Sequence, residues 1–387
     1  MSNRIDDIDI LRGFAVLAVV MHHALGNLFT WTTPQMSRIY VHFSGDFGVD
    51  LFFAISGFVI ARLLVPQLQA SSGWHAVSRI TVAFWIRRAW RLLPSAWIWL
   101  ALILLAVVLF NQSGAFGTFQ ANLAATIAGV LQVANLRFAE SFGQSEYGAS
   151  FVYWSLSLEE QFYLVLPLLV LISRRLLPYV LIALVVIQLV SSRTMLMVAF
   201  RTDAIALGVL LAIWSGHATY AMVRPVILAR FRWVGLLLML ILLSCIGMAG
   251  SEFVNAGTSR FSLYALLSAL LVWLASYNMD LFNPLGPLKR LLMWVGSRSY
   301  AIYLIHIPAF FLTREIWFRL QPGVVPGDEV FFAYLLTAGV LLILLSELNY
   351  RLIETPFRLR GSAIAKRFSA GASQKAEQES AIQATKG

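Results

Sequence analysis

Apolar runs close to twenty residues long recur from one end of this chain to the other, the length a helix needs to cross ~30 Å of hydrocarbon. Of 387 residues, 59% are hydrophobic and 12% charged. A soluble chain carries about a quarter of its residues charged, and a β-barrel would show alternating segments of about ten residues instead. The pattern predicts an all-α polytopic membrane helix bundle. Ten spans are expected, at residues 9–29, 46–64, 94–111, 154–173, 176–192, 202–217, 233–250, 260–277, 292–312 and 329–350.

Residues 121–136, ANLAATIAGVLQVANL, form an eleventh apolar segment, and charge decides its treatment. With ten spans and the N-terminus inside, twenty Lys and Arg residues, from Arg4 to Lys386, fall on inner segments and seven on outer ones. That is the asymmetry of cytoplasmic loops. A further crossing at 121–136 would carry Arg174, Arg175 and the basic C-terminal residues outside, so this segment is expected to be re-entrant or interfacial. Both termini are then cytoplasmic, and a bacterial inner membrane is the expected location. Residues 1–360 read as one membrane domain. Residues 361–387, small, polar and charged, read as a disordered cytoplasmic tail. The first ten residues lack the basic start and cleavage site of a signal peptide, so the first helix is expected to be retained.

The net charge of +10 fits basic inner loops, and no nucleic-acid motif accompanies it. Cys245 is the one cysteine, which excludes an intrachain disulfide and cysteine metal sites. No H-E-x-x-H, P-loop or G-x-G-x-x-G occurs, so neither a metal nor a tightly bound cofactor is expected.

Ionisable residues inside the spans are costly and so mark function. In Ile10–His23, ILRGFAVLAVVMHH, Arg12 and His23 are eleven positions apart. That is ~20° past three full turns and ~16 Å along the axis, so both leave one face and are expected to share one enclosed cleft. His23 suits general-base chemistry, or a hydrogen bond between helices. Asp9, three positions before Arg12, can pair with it and make it structural. In Gly48–Phe58, GVDLFFAISGF, Asp50 suits a helix start, and Ser56-Gly57 suits close helix packing, with a Ser56 nucleophile as the alternative. In the basic loop Trp85–Pro94, WIRRAWRLLP, Arg87, Arg88 and Arg91 can form one patch, either a phosphate clamp or a headgroup anchor. Trp154, Ser155, Glu159 and Glu160 crowd the start of the fourth span, YWSLSLEEQFY. Arg201 and Asp203 open the sixth and are expected to pair. Tyr303 and His306, three apart, share a face of the ninth, with Arg298 and Tyr300 before them; Glu354 and Pro356 follow the tenth.

In this order, LRGFAVLAVVMHH, GVDLFFAISGF, RRAWRLLP, YWSLSLEEQFYL, SYAIYLIH and ETP resemble the acyltransferase 3 family of integral membrane acyltransferases, from about residue 6 to 358. The resemblance implies about ten membrane helices and transfer of an acyl group, most often acetyl, to a carbohydrate-type acceptor. The family's arginine–ten residues–histidine motif falls on Arg12 and His23, its basic motif on Arg88 and Arg91, and its tryptophan–serine–leucine–x–x–glutamate motif on Trp154, Ser155, Leu156 and Glu159. The chain is expected to lack the extracellular hydrolase-like domain that some members carry.

Together these predict a membrane O-acyltransferase that uses acyl-CoA, chiefly acetyl-CoA, as co-substrate and a carbohydrate or glycolipid as acceptor. Arg87, Arg88 and Arg91 would bind the donor phosphates. His23 would act as general base or take the acyl group, with Arg12 and Glu159 beside it; Ser56, Trp154, Ser155, Asp203, Tyr303 and His306 would support the site. His23, His306, Glu159 and Asp203 are expected to converge. The alternative is a transporter or flippase of a glycolipid or lipid precursor, which needs intramembrane Arg, His and Glu as well. Consumption of labelled acetyl-CoA separates the two.

Overall fold

A computed structural model describes residues 5–282 and 286–384; the side chains of Arg232 and of residues 370–384 are outside that description, as are Arg4 and Lys386. The chain opens with α1 (Asp6–Asn27), α2 (Pro34–His42), α3 (Gly48–Ala70), α4 (Trp74–Leu109), α5 (Phe119–Val130) and α6 (Ala134–Ser141). It continues through α7 (Tyr153–Ser173), α8 (Leu177–Val190), α9 (Met195–Ala199), α10 (Asp203–Trp214), α11 (Ala218–Met222) and α12 (Val226–Arg230). It closes with α13 (Arg232–Ala249), α14 (Arg260–Ser276), α15 (Pro287–Ser297), α16 (Ser299–Leu320), α17 (Phe331–Asn349) and α18 (Thr355–Ala384).

Among the described residues, eight stretches are long and apolar enough to cross a membrane. One of them, Tyr153–Val190, divides at Arg174, whose φ of +44° a non-glycine residue seldom adopts. The helix Trp233–Ala249 is shorter and also apolar. Each of the ten expected spans therefore has a helix under it. The segment at 121–136 is α5, twelve residues and so ~18 Å long, followed by a turn at Gln132 into the short helix α6.

Three boundaries differ from the expectation. The stretch Trp85–Pro94 is not a loop: α4 runs unbroken through it and keeps Pro94 in its interior. Neighbouring helices and local adjustment can satisfy the backbone groups that a proline frees. The ninth span begins at Ser299, because the chain breaks at Arg298, which pairs with Glu347 at 2.9 Å. The limit drawn at residue 361 falls inside α18, where Gly361 packs on Trp90.

Lipid supplies no hydrophobic drive between helices, so close approach has to come from small residues. A Cβ on Gly57 of α3 would lie 2.1 Å from the Ile205 carbonyl oxygen of α10, and one on Gly208 of α10 would lie 2.2 Å from that of Ala54. The reciprocal contact locks α3 to α10 and bears out the packing reading of Ser56-Gly57. Gly296 of α15 sits in the same way against the Asp9 carbonyl oxygen of α1. The Asp7 carboxylate then ties the start of α1 to the chain before α15, accepting from the backbone N–H groups of Leu281 and Phe282 at 3.1 Å each. With α1 held between α3, α15 and α16, its polar face points into the bundle.

Candidate active site

Two cavities lie along α1. The wider, about 1080 Å³, has His22 and His23 in its wall; the narrower, about 80 Å³, has Arg12. The three turns between Arg12 and His23 therefore connect two chambers rather than one cleft. Val49 lines both. Phe52 meets Tyr303 edge-on at 6.2 Å and Phe53 meets Trp154 at 6.3 Å, so aromatic rings fill the space between.

His23 is half-buried, and its partner is His306, fully buried on α16. His23 Nδ1 lies 2.9 Å from His306 Nε2, and His306 Nδ1 lies 2.7 Å from the carbonyl oxygen of Tyr303. A carbonyl oxygen only accepts, so His306 Nδ1 carries a proton. In the neutral ring Nε2 is then an acceptor, and His23 Nδ1 must donate to it. The remaining nitrogen, His23 Nε2, keeps its lone pair. The backbone of α16 thus fixes the tautomer of a residue on α1. Tyr303 extends the chain, since its hydroxyl lies 2.6 Å from Ser155 Oγ on α7.

Beside it runs a second polar chain. Ser44 Oγ donates to Asp46 at 2.7 Å and lies 3.3 Å from His22 Nδ1; Tyr264 also donates to Asp46, at 2.6 Å. Tyr147, in the loop before α7, donates to the Ala134 carbonyl oxygen at 3.2 Å. Burial pushes its phenol well above the usual range, against the pull of the Arg137 guanidinium over its ring, so it stays a donor.

Arg201 and Asp203 do not pair with each other. Arg201 reaches across to Asp50 with two bonds of 3.0 Å and lies over the rings of Trp154 and Phe261. Asp203 holds Arg193 at 2.5 Å. Two positions apart where the chain enters α10, the two residues point different ways: Arg201 meets Asp50 on α3, and Asp203 meets Arg193 in the loop between α8 and α9, each pair buried. Asp50 is accordingly an ion-pair partner in the first turn of α3, not only a dipole match. Asp203 does not reach His23, and its part is to hold Arg193 in the wall of the wide cavity.

Glu159 also departs from His23. It lines the narrow cavity with Arg12, Arg88, Arg91 and Ser56, and accepts a hydrogen bond from Tyr163, one turn along α7. Arg12 is paired with Asp9 at 2.9 Å, as the three-residue spacing suggests. Arg88 lies over the rings of Tyr163 and Phe84, at 5.3 and 5.8 Å. Arg91 keeps a buried Nε with no hydrogen-bond partner among the described residues. Arg87 leaves the helix on the exposed side and does not line the cavity, so the expected three-arginine patch reduces to Arg88 and Arg91, joined by Arg12.

The chemistry divides accordingly. The wide cavity holds a neutral imidazole with a free lone pair and room on the scale of a drug-sized ligand or larger. The narrow one holds guanidinium groups and one carboxylate in a space that admits only the thin end of a substrate. Spacing within one helix can suggest Arg12–Asp9 and Glu159–Tyr163. It could not have named Ser44, Asp46 or Arg193 as wall residues, because His22, Tyr264 and Asp203, which meet them, come from distant parts of the chain.

A family model described as an acyltransferase domain matches residues 5–346. The chain is similar to O-acetyltransferase OatA of Staphylococcus aureus, 26% identical over 376 residues covering 92% of this chain and 57% of the relative. Peptidoglycan O-acetyltransferase OatA of Listeria monocytogenes is 28% identical over 385 residues, covering 92% and 56%. A putative peptidoglycan O-acetyltransferase, YrhL of Bacillus subtilis, is 27% identical over 385 residues, covering 92% and 55%. The chain thus spans little more than half the length of these relatives. No solved structure matches it.

Proposed function

This chain belongs to the acyltransferase 3 family, and from that premise we propose that it is a membrane O-acyltransferase carrying an acetyl group from acetyl-CoA to a carbohydrate hydroxyl. The acceptor lies in the wide cavity and the donor enters through the narrow one. The observation that carries this reading is the His23–His306–Tyr303 chain, which leaves His23 Nε2 as a base facing a cavity large enough for a sugar. The relatives' names supply the chemistry, O-acetylation, and two of them the acceptor class, peptidoglycan.

His23 Nε2 takes the proton of the acceptor hydroxyl as its oxygen attacks the thioester carbonyl carbon. The carbon–oxygen bond forms, the carbon–sulfur bond breaks, and the leaving thiolate recovers the proton from His23. No net proton is consumed. The donor end is read from Arg12, Arg88 and Arg91, which favour an anionic substrate with a slim tail. At about 80 Å³ their cavity excludes a nucleotide, so the nucleotide stays outside while the pantetheine arm passes inward. For the thioester to meet His23, the aromatic partition at Val49, Phe52 and Tyr303 has to open. We read the narrow end as the cytosolic one because basic residues gather near it, as the charge rule favours for inner segments, and on that reading the wide cavity opens outward.

The test is labelled acetyl transfer by purified protein to peptidoglycan fragments. His23→Ala should keep its fold and elution profile and lose at least ~100-fold in kcat, the low end of general-base contributions. Full activity in that variant ends this assignment. Absence of acetyl-CoA consumption by the native chain with every acceptor favours a transport role instead.

A further inference from the structure

Four arginines contribute to the wall of the wide cavity, and three of them face acids. Arg193 is held by Asp203, Arg201 by Asp50, and Arg260 lies 3.9 Å from Asp46. The fourth, Arg314 on α16, pairs with no carboxylate among the described residues. One of its N–H groups donates to the Asn27 carbonyl oxygen at 3.3 Å, and its guanidinium lies 5.8 Å from the Phe311 ring centre. A guanidinium has five donors, so most of its hydrogen-bonding capacity is uncommitted. A half-buried cation left in that state favours an anion.

Its position ties it to the acceptor. Arg314 is eight residues beyond His306 on the same helix, ~12 Å along the axis. Asn27, which accepts from Arg314, donates its side-chain N–H to the His23 carbonyl oxygen at 2.9 Å. Arg314 also lines a second cavity of about 130 Å³, shared with Thr30, Ser113, Gln321 and the stacked rings of Trp317 and Tyr334. Arg314 therefore stands in the walls of both the cavity at His23 and a neighbouring hollow with hydroxyl, amide and aromatic groups. That combination suits a further sugar unit bearing a negative charge.

We infer that Arg314 is an anion subsite for the acceptor, holding a carboxylate or phosphate on a sugar some distance from the acylated hydroxyl. The inference rests on the acyltransferase reading and adds a substrate class to it: an anionic oligosaccharide rather than a neutral one or a monosaccharide.

The experiment compares two acceptors of equal length. One is a tetrasaccharide alternating N-acetylglucosamine and N-acetylmuramic acid; the other is the same compound with its carboxyls reduced to alcohols. The full chain, in phosphatidylcholine nanodiscs, should favour the carboxylate form in kcat/KM by about tenfold or more, the scale of one charge-assisted hydrogen bond. Arg314→Gln should bring the ratio close to one, and Arg314→Lys should keep part of it. A ratio near one in the native chain, or one that survives Arg314→Gln, overturns the subsite. Should neither acceptor be acetylated, that result counts against the acyltransferase reading and not against the subsite. Equilibrium binding of the same two compounds then decides: carboxylate-dependent binding lost in Arg314→Gln upholds the subsite, and equal binding overturns it. Repetition in phosphatidylglycerol nanodiscs separates the sources. A preference abolished there by competition from lipid phosphate assigns Arg314 to the headgroup and overturns the glycan assignment.

Discussion

The two cavities along α1 are built on opposite principles. In the wide one the reactive side chain is neutral and is oriented by a second neutral imidazole and a backbone carbonyl, while the charged residues around it are largely neutralised in pairs: Arg201 on Asp50, Arg193 on Asp203. In the narrow one charge is concentrated and compensated locally, Arg12 by Asp9 and Arg88 by aromatic faces, with the Arg91 Nε left over. The contrast is chemically sensible. A base that must accept a proton works best when its lone pair is free, whereas a site that must hold an anion needs unspent donors. One helix serves both because its polar face extends past the partition formed by Val49 and its aromatic neighbours.

That division can be broken at its most sensitive point first. His306→Phe removes the acceptor of the His23 Nδ1 proton, and kcat should fall by roughly 100-fold or more, the range for mispositioned acid–base groups. His306→Gln, whose carbonyl oxygen can still accept that proton, should recover much of it. KM for acetyl-CoA should hold in both, since neither touches the narrow cavity. A rise in donor KM with kcat preserved would mean that the two chambers are not functionally separate. At the other end, Arg91→Gln should raise the acetyl-CoA KM about tenfold, the loss of one charged hydrogen bond, and leave kcat nearly intact. The smallest effect sharpens the comparison by contrast: Arg87→Gln, on the exposed side of α4 and outside the wall of the narrow cavity, should change donor KM by less than about twofold, because it removes no interaction with bound donor. Equal losses at Arg87 and Arg91 would restore the three-arginine patch that the sequence suggested.

Much of the frame was legible in the chain itself. Apolar length gives the all-α bundle, because a backbone in hydrocarbon has to satisfy its hydrogen bonds within each helix. Residue spacing places Arg12 beside Asp9 and brings Arg12 and His23 to one face of α1. The glycine after Ser56 marks the tight seam with α10. Residue 94 misled: proline reads as a helix boundary, yet α4 continues through it and turns an expected loop into a helical wall.

What the sequence by itself determined is the set of helices and the direction each residue leaves its own axis, since both follow from local periodicity and the cost of burying polar backbone in lipid. Only the tertiary structure decided which side chains meet. It placed His306 rather than Glu159 against His23, set Arg201 on Asp50 rather than on Asp203, and closed the space between Arg12 and His23 with rings from three other helices. The physical reason is that an ion pair or a relay depends on the rotation and height of the neighbouring helix, and packing contacts scattered across the chain fix those.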